Sequence, residues 1–218
     1  MRDMPSFRHP LYHPDVGQHP LPNDAREIAA VLQATRRCYL AHPYFLARYG
    51  QRGMAFANSD GGYLASLTGS GQQQVNEQVF WLAGVLAARG MPRWLMEQYL
   101  ELLCDELCQA VPDQPRRFGK LQQAAQQLRR ARLAWIDQRQ FDALAAVFES
   151  AAGAGLPNVG GLLVSAVCDG CCELPEALPS LTRWLADSGR FSARWCAAVA
   201  DTIAQARALA AASCRDKP

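Results

Sequence analysis

Apolar positions along this chain recur three and four residues apart in one segment after another, and nowhere do they alternate with period two for long enough to make a strand. From Asn23 or Asp24, either able to serve as an N-cap, the set Ile28, Val31, Leu32, Thr35 and Tyr39 predicts a helix reaching about Leu40. His42-Pro43 starts a short second helix, Tyr44 to Tyr49, which Gly50-Gln51-Arg52-Gly53 ends with two residues able to take positive φ. Ser59-Asp60 reads as the cap of another short helix carrying Tyr63, Leu64 and Leu67, and Gly69-Ser70-Gly71 separates it from the next. Val75, Val79, Leu82, Val85 and Leu86 mark one face of a helix that Gly90 terminates. Met91-Pro92 then supplies a proline for the first position of a helix striped by Leu95, Tyr99, Leu102, Leu103 and Leu107. So short a link predicts that these two helices pack antiparallel as a hairpin.

Pro112-Asp113-Gln114-Pro115 breaks the chain near its middle, and Leu121 to Ile136 reads as a polar helix whose thin apolar face places it on the outside. Phe141, Leu144, Val147 and Phe148 define the next helix, closed by Gly153 and Gly155. An apolar run, Leu162 to Val167, leads into Cys168-Asp169-Gly170-Cys171-Cys172. A last pair follows: Glu176 to Ala186, then Ala193 to about Ala212 behind Ser192 as cap, with Trp195, Val199, Ile203 and Ala206 on one face. The fold class is therefore all-α, a bundle of antiparallel helical hairpins with about eight or nine helices. A faint echo between Leu86 to Pro92 and Ala151 to Pro157, each followed by a helix nearing its end at a Cys-Asp pair, offers a short helical-repeat solenoid as the alternative. Residues 1–22, with Pro5, Pro10, Pro14, Pro20 and Pro22, form a proline-rich arm, and residues 23–214 a single helical domain, with a division into two sub-bundles near 112–116 left open.

At 218 residues the chain is long enough to bury roughly 70% of its unfolded surface without staples. A net charge of +2, with the arginines spread along the chain, leaves no electrostatic footprint for nucleic acid. No apolar run spans a membrane, and Met1-Arg2-Asp3-Met4-Pro5 lacks the apolar stretch of a secretory signal, so the expected compartment is the cytoplasm. There the eight cysteines read as free thiols filling small core spaces.

Candidate chemistry is sparse. Cys168-x-x-Cys171, with Cys172 beside it, has the spacing of zinc knuckles and redox sites, but no second ligand pair follows it and no strand precedes it. The preferred reading is a helix ended by Asp169-Gly170, with Cys168, Cys171 and Cys172 packed around the turn. Glu97, Glu101, Asp105 and Glu106 lack the Glu-x-x-His pairs of a di-iron bundle. All four histidines, His9, His13, His19 and His42, precede a proline, and three lie in the arm, where an extended chain does not bring them onto one face. Only His42 stands outside the arm to serve as a catalytic base or a haem ligand, and as a helix-initiating His-Pro it reads first as a surface cap. No nucleophile elbow, phosphate-binding loop or aspartate-rich magnesium motif occurs. What remains is a cluster of aromatics and arginines, Tyr44, Arg48, Tyr49, Arg52, Tyr63 and Trp81, suited to a planar or acidic ligand or to a protein interface; Arg48 and Arg52, four apart, are expected on one face.

Within this region Tyr49-Gly50-x-Arg52-Gly53, Asp60, Tyr63-Leu64, Val79-x-Trp81 and Val85 to Pro92 are similar to bacterial helical domains that precede cobalamin-binding or other sensory modules. The Asp-x-His-x-x-Gly pattern of the cobalamin module itself is absent, so the resemblance implies no cofactor and no functional residue, only a regulatory or ligand-sensing helical domain. The expectation is a non-catalytic, cytoplasmic regulatory or adaptor protein that binds a protein partner or small molecule around Tyr44 to Trp81, without nucleic acid or membrane, with a homodimer left open. The alternative is a metal or tetrapyrrole sensor using the 168–172 cysteines or His42.

Overall fold

The computed structural model describes residues 9–16 and 19–215; the parts of the arm around Pro5 and the residues read for a secretory signal lie outside them. Those described residues form nine α-helices and no strand: α1 (Ala25–Ala41), α2 (Tyr44–Leu67), α3 (Gln72–Ala87), α4 (Arg93–Ala110), α5 (Pro115–Leu133), α6 (Gln138–Ala152), α7 (Val159–Cys171), α8 (Ala177–Leu185) and α9 (Ala193–Arg215). Among them no helix is long and apolar enough to cross a membrane. The protein is an all-α bundle.

Capping follows local chemistry. The Asp24 carboxylate accepts the Arg26 amide at 2.8 Å, and Asp137 and Gln140 form a reciprocal capping box at the start of α6. After α3, Gly90 takes φ 87° while its amide donates to Ala87 and that of Met91 to Leu86, a Schellman closure. Pro92 then sits at the N-cap of α4, one position before the place expected for it.

Several expectations change. Residues 44–67 are not two short helices but one helical run broken only at Gly50, whose φ 61° and ψ −160° suit glycine alone. Gly53 is helical, and Ser59-Asp60, expected as a cap, lies in mid-helix. Leu32 and Val147 point to solvent, 38% and 51% exposed, because the dry stripes of α1 and α6 run one position aside of them. The α7 helix continues through Gly170 to Cys171, and Glu173, in the left-handed region at φ 64°, ends it while the Leu174 amide donates to Asp169. The matching Cys104-Asp105 pair lies inside α4 with Asp105 exposed, so the two Cys-Asp pairs are not equivalent.

Two helices organise the bundle. Helix α4 makes its widest contacts with α1 and α5, and α7, apolar on every side, is enclosed by α6, α8, α9 and α4. The polar helix α5 does not lie outside: it buries Phe118, Leu121, Ala124, Ala125 and Leu128 against its neighbours, and Arg132 with them. The proline turn at 112–115 therefore joins two helices that pack on each other. By contrast α3 touches α4 only lightly and rests more on α5.

Three carboxylates are buried in this core, and each meets an arginine. Glu27 of α1 pairs with Arg117 of α5 at 2.6 Å, Glu97 of α4 with Arg132 of α5 at 3.0 Å, and Asp169 of α7 with Arg93 of α4 at 2.8 Å. Burial raises the pKa of Glu97 and of Asp169, and their arginines oppose the rise. Asp169 also accepts the Arg93 amide at 2.9 Å, while the Ser165 hydroxyl accepts that of Trp94 at 3.2 Å, so α7 caps the first turn of α4.

Close approach matters as much as charge. A Cβ on Gly160 of α7 would stand 2.7 Å from the Ala145 backbone of α6, whereas one on Gly119 of α5 would meet nothing within 4 Å. Gly160→Ala should therefore lower unfolding free energy by about 1–3 kcal/mol through overpacking. Gly119→Ala should raise it by about 0.5–1 kcal/mol through helix propensity. Urea titrations of the two variants check the contrast, and equal shifts would refute the close packing of α6 on α7. In the same assay Asp169→Ala, which strands the Arg93 guanidinium, should cost about 3–5 kcal/mol.

Candidate functional site

The space between α3 and α4 that a closed hairpin would fill is instead part of a pocket of about 780 Å³. Its walls come from five segments: Thr35, Cys38 and Tyr39 of α1; Phe56, Asp60 and Tyr63 of α2; Trp81, Leu82 and Val85 of α3; Leu95, Met96 and Tyr99 of α4; and Asp15, Val16 and His19 of the arm. One face of α2 carries Gly53, Phe56, Ala57, Asp60, Tyr63 and Leu64 into it, a three-and-four spacing. Glycine at 61 lets α2 come close to α1 and α4, since a Cβ there would strike the Tyr99 hydroxyl and Val31.

The arm closes one side. His9 Nε2 donates to the Pro22 carbonyl at 2.8 Å while its Nδ1 accepts the Leu11 amide, and Leu11 is buried beneath. His13 Nδ1 likewise accepts the Asp15 amide, and the His13 ring stacks on Phe56 with centroids 3.9 Å apart. In both cases the imidazole bonds the amide beyond a proline that has no N–H of its own. His19 Nδ1 faces the Pro20 carbonyl, so its Nε2, 3.0 Å from Ser59 Oγ, accepts the hydroxyl proton. Ser59 is wholly buried and does not line the pocket, so its bond anchors the arm through His19, which does line it.

Polar groups inside the pocket are few. Tyr99 and Thr35 share a hydrogen bond of 3.1 Å, and Tyr63 donates to Gln78 at 2.7 Å. Asp60 differs. Half-buried among aromatic rings, it has neither a hydrogen-bond nor an ion-pair partner among the described residues. Burial pushes its carboxyl up to about 6, against a weak opposing pull from Arg89 at the exposed rim.

Of the residues expected at a site, Tyr49, Tyr63 and Trp81 line the pocket, Trp81 at its rim and 59% exposed. Tyr44 and Arg48 do not. Tyr44 is fully buried and donates to the Gly90 carbonyl at 2.5 Å; Arg48 donates to the Tyr44 hydroxyl at 2.6 Å and to the Ser180 carbonyl at 3.0 Å. Together with Tyr49, which donates to the Arg89 carbonyl at 2.8 Å, they hold the turn between α3 and α4. Arg52, expected on the same face as Arg48, is on another, because the Gly50 break rotates the chain between them; it pairs with Asp15 of the arm at 3.0 Å. Asp60, Tyr39 and Tyr99 were not among the expected set, whereas Phe56, which follows the cluster in sequence, does line the pocket. The signal for three of the pocket residues was an acid amid aromatics at helical spacing, Phe56, Asp60 and Tyr63, which the division of α2 into two helices concealed.

The 168–172 cysteines and His42 lie elsewhere. Cys168 is buried and its thiol is pushed up to about 12 by burial; Cys172 Sγ accepts the Trp135 indole N–H at 3.1 Å. Cys171 and Cys214 line a second cavity, of about 760 Å³, with Arg207 and Arg215. Among the described residues no three His, Cys, Asp or Glu side chains are grouped to hold a metal. His42, expected as a surface cap, is buried edge-on to Trp94 and Phe45 with Nδ1 unpartnered, and burial holds its pKa down at about 4.

The chain matches no protein-family profile, no curated protein and no solved structure.

An acid whose folded pKa lies above its ordinary 3.8 holds its proton more tightly in the folded state, so stability from Asp60 is present below about pH 4 and is lost as pH rises through about 6. Asp60→Asn removes the charged form. The variant should be more stable than wild type at pH 7.5 by about 2–3 kcal/mol, with the difference closing toward pH 4. Thermal melts of both proteins across that range test the sign, and the comparison cancels Glu97 and Asp169, present in both.

Proposed function

We propose that the protein is a non-catalytic binder of an apolar small molecule, seated in the pocket bounded by the arm and helices α1 to α4. The observation that carries this reading is the pocket: its volume falls within the roughly 300–1,000 Å³ of small-molecule sites, and its lining joins aromatic and aliphatic side chains to a few placed polar groups. The nearest serine and histidine pair makes no catalytic set, since Ser59 is buried outside the pocket and its hydroxyl is bonded to His19 at the wall. Regulation is the role that fits the arm. One wall of the pocket is tied down by the exposed pair of Asp15 and Arg52 and by half-buried His13 on Phe56, so occupancy and arm position are linked. The exposed Trp81 beside the mouth gives a partner protein a place to sense that change.

The neutral, polarity-sensitive dye N-phenyl-1-naphthylamine is the probe. It should bind one to one with enhanced fluorescence and raise the melting temperature. Ala57→Trp from α2 and Val85→Trp from α3, each filling the pocket, should weaken binding about tenfold or more. Dye binding that neither substitution affects, in variants that melt cooperatively, would remove the pocket as the binding site.

A further inference from the structure

Asp60 departs from the rule the rest of the molecule follows. Glu27, Glu97 and Asp169 are buried carboxylates, and each has an arginine between 2.6 and 3.0 Å away. Asp60 lines the pocket, as does Asp15, but Asp15 is paired with Arg52, whereas among the described residues Asp60 has no such partner. Arg89, whose charge acts on it through space, stands exposed on the rim and forms no ion pair with it. An ionised carboxylate beside apolar walls is costly until a cation or a set of donors reaches it.

The walls around it favour the cation. Tyr39, Phe56, Tyr63, Trp81 and Tyr99 bring aromatic rings from all four helices to the same cavity. The negative faces of such rings attract an ammonium group and do nothing comparable for an anion or a hydroxyl. Among the described residues no lysine lines the pocket, Asp15 is paired with Arg52 and Arg89 is exposed, so the unpaired charge that a cation meets beside these rings is that of Asp60.

We propose that the ligand of this pocket is a hydrophobic cation, an amine or quaternary ammonium carried on an apolar body, with its charged nitrogen against the Asp60 carboxylate. This rests on the pocket being the binding site, and deepens that reading by naming the class of molecule. Three probes of one shape separate the possibilities: 4-phenylbutylamine, 4-phenylbutan-1-ol and 4-phenylbutyrate, each displacing N-phenyl-1-naphthylamine at pH 7.5. The amine should compete about tenfold more strongly than the alcohol, and the carboxylate most weakly. In Asp60→Asn the amine should fall to within about threefold of the alcohol, whose own affinity stays unchanged. Arg89→Gln, which removes the rim cation, should tighten the amine alone by a few-fold.

An alcohol that competes as well as the amine in the wild-type protein, or an amine advantage that survives Asp60→Asn, overturns the inference while leaving the pocket as a site for neutral molecules. Failure of the pocket itself has a different signature: dye binding that Ala57→Trp and Val85→Trp leave intact. Asp60→Asn is expected to be the more stable protein at this pH, so loss of the amine's advantage in it is not a folding defect.

Discussion

The first turn of α4 is held by the last turn of α7, and most of the molecule is arranged around that junction. Asp169 supplies one carboxylate to two donors, the guanidinium and the amide of Arg93, and Ser165 receives the next amide. A helix begins with amides that lack intrahelical partners and with a partial positive charge, and a buried carboxylate answers both. Burial drives the Asp169 pKa up, and Arg93 makes the ionised form tolerable. Because α4 in turn carries α1 and α5, one fixed helix start sets the position of the others.

The same junction fixes the pocket. Just before Arg93 the chain passes through Gly90 and Met91, and three side chains of the first turns of α2 grip that turn: Tyr44 on the Gly90 carbonyl, Tyr49 on the Arg89 carbonyl, Arg48 wedged between Tyr44 and Ser180. Glycine is required at position 90 for its φ of 87°, and a Cβ there would also displace the Arg48 guanidinium. With the turn held from both sides, α3 can stand away from α4 without the link closing up. The cavity is thus a product of rigid supports at its edge.

Much of the architecture was legible because apolar periodicity reports which face of a helix is dry. The stripes of α3 and α4 and the bounds of α1, α8 and α9 follow it closely. Periodicity does not report what a dry face meets, and it counts charged residues as wet. Glu27, Arg93, Glu97, Arg132 and Asp169 all read as surface and all are buried, because each charge is cancelled by a partner distant in sequence. This is why α5 looked like an outer helix, and why the pentapeptide around Asp169 drew attention to its cysteines when its aspartate does the structural work. The pocket was legible only in part for a related reason: it is assembled from five segments, and α2 shows its lining face only when the chain after Gly50 is taken as one continuous helix.

A fold that neutralises its buried carboxylates with arginine at Glu27, Glu97 and Asp169 has the means to do so at a fourth. Position 89 already holds an arginine close enough to act on Asp60 through space, yet it points outward at the rim. Among the described residues Asp60 stays unpaired, which costs stability at neutral pH at a position that no helix junction uses. Natural folds tolerate such local losses chiefly where a site gains from them, since a group already stripped of partners and held by a rigid helix pays little to meet a ligand. The contrast between three satisfied acids and one unsatisfied acid, in a cavity walled by aromatic rings, is therefore the feature of this structure that fold stability alone does not account for.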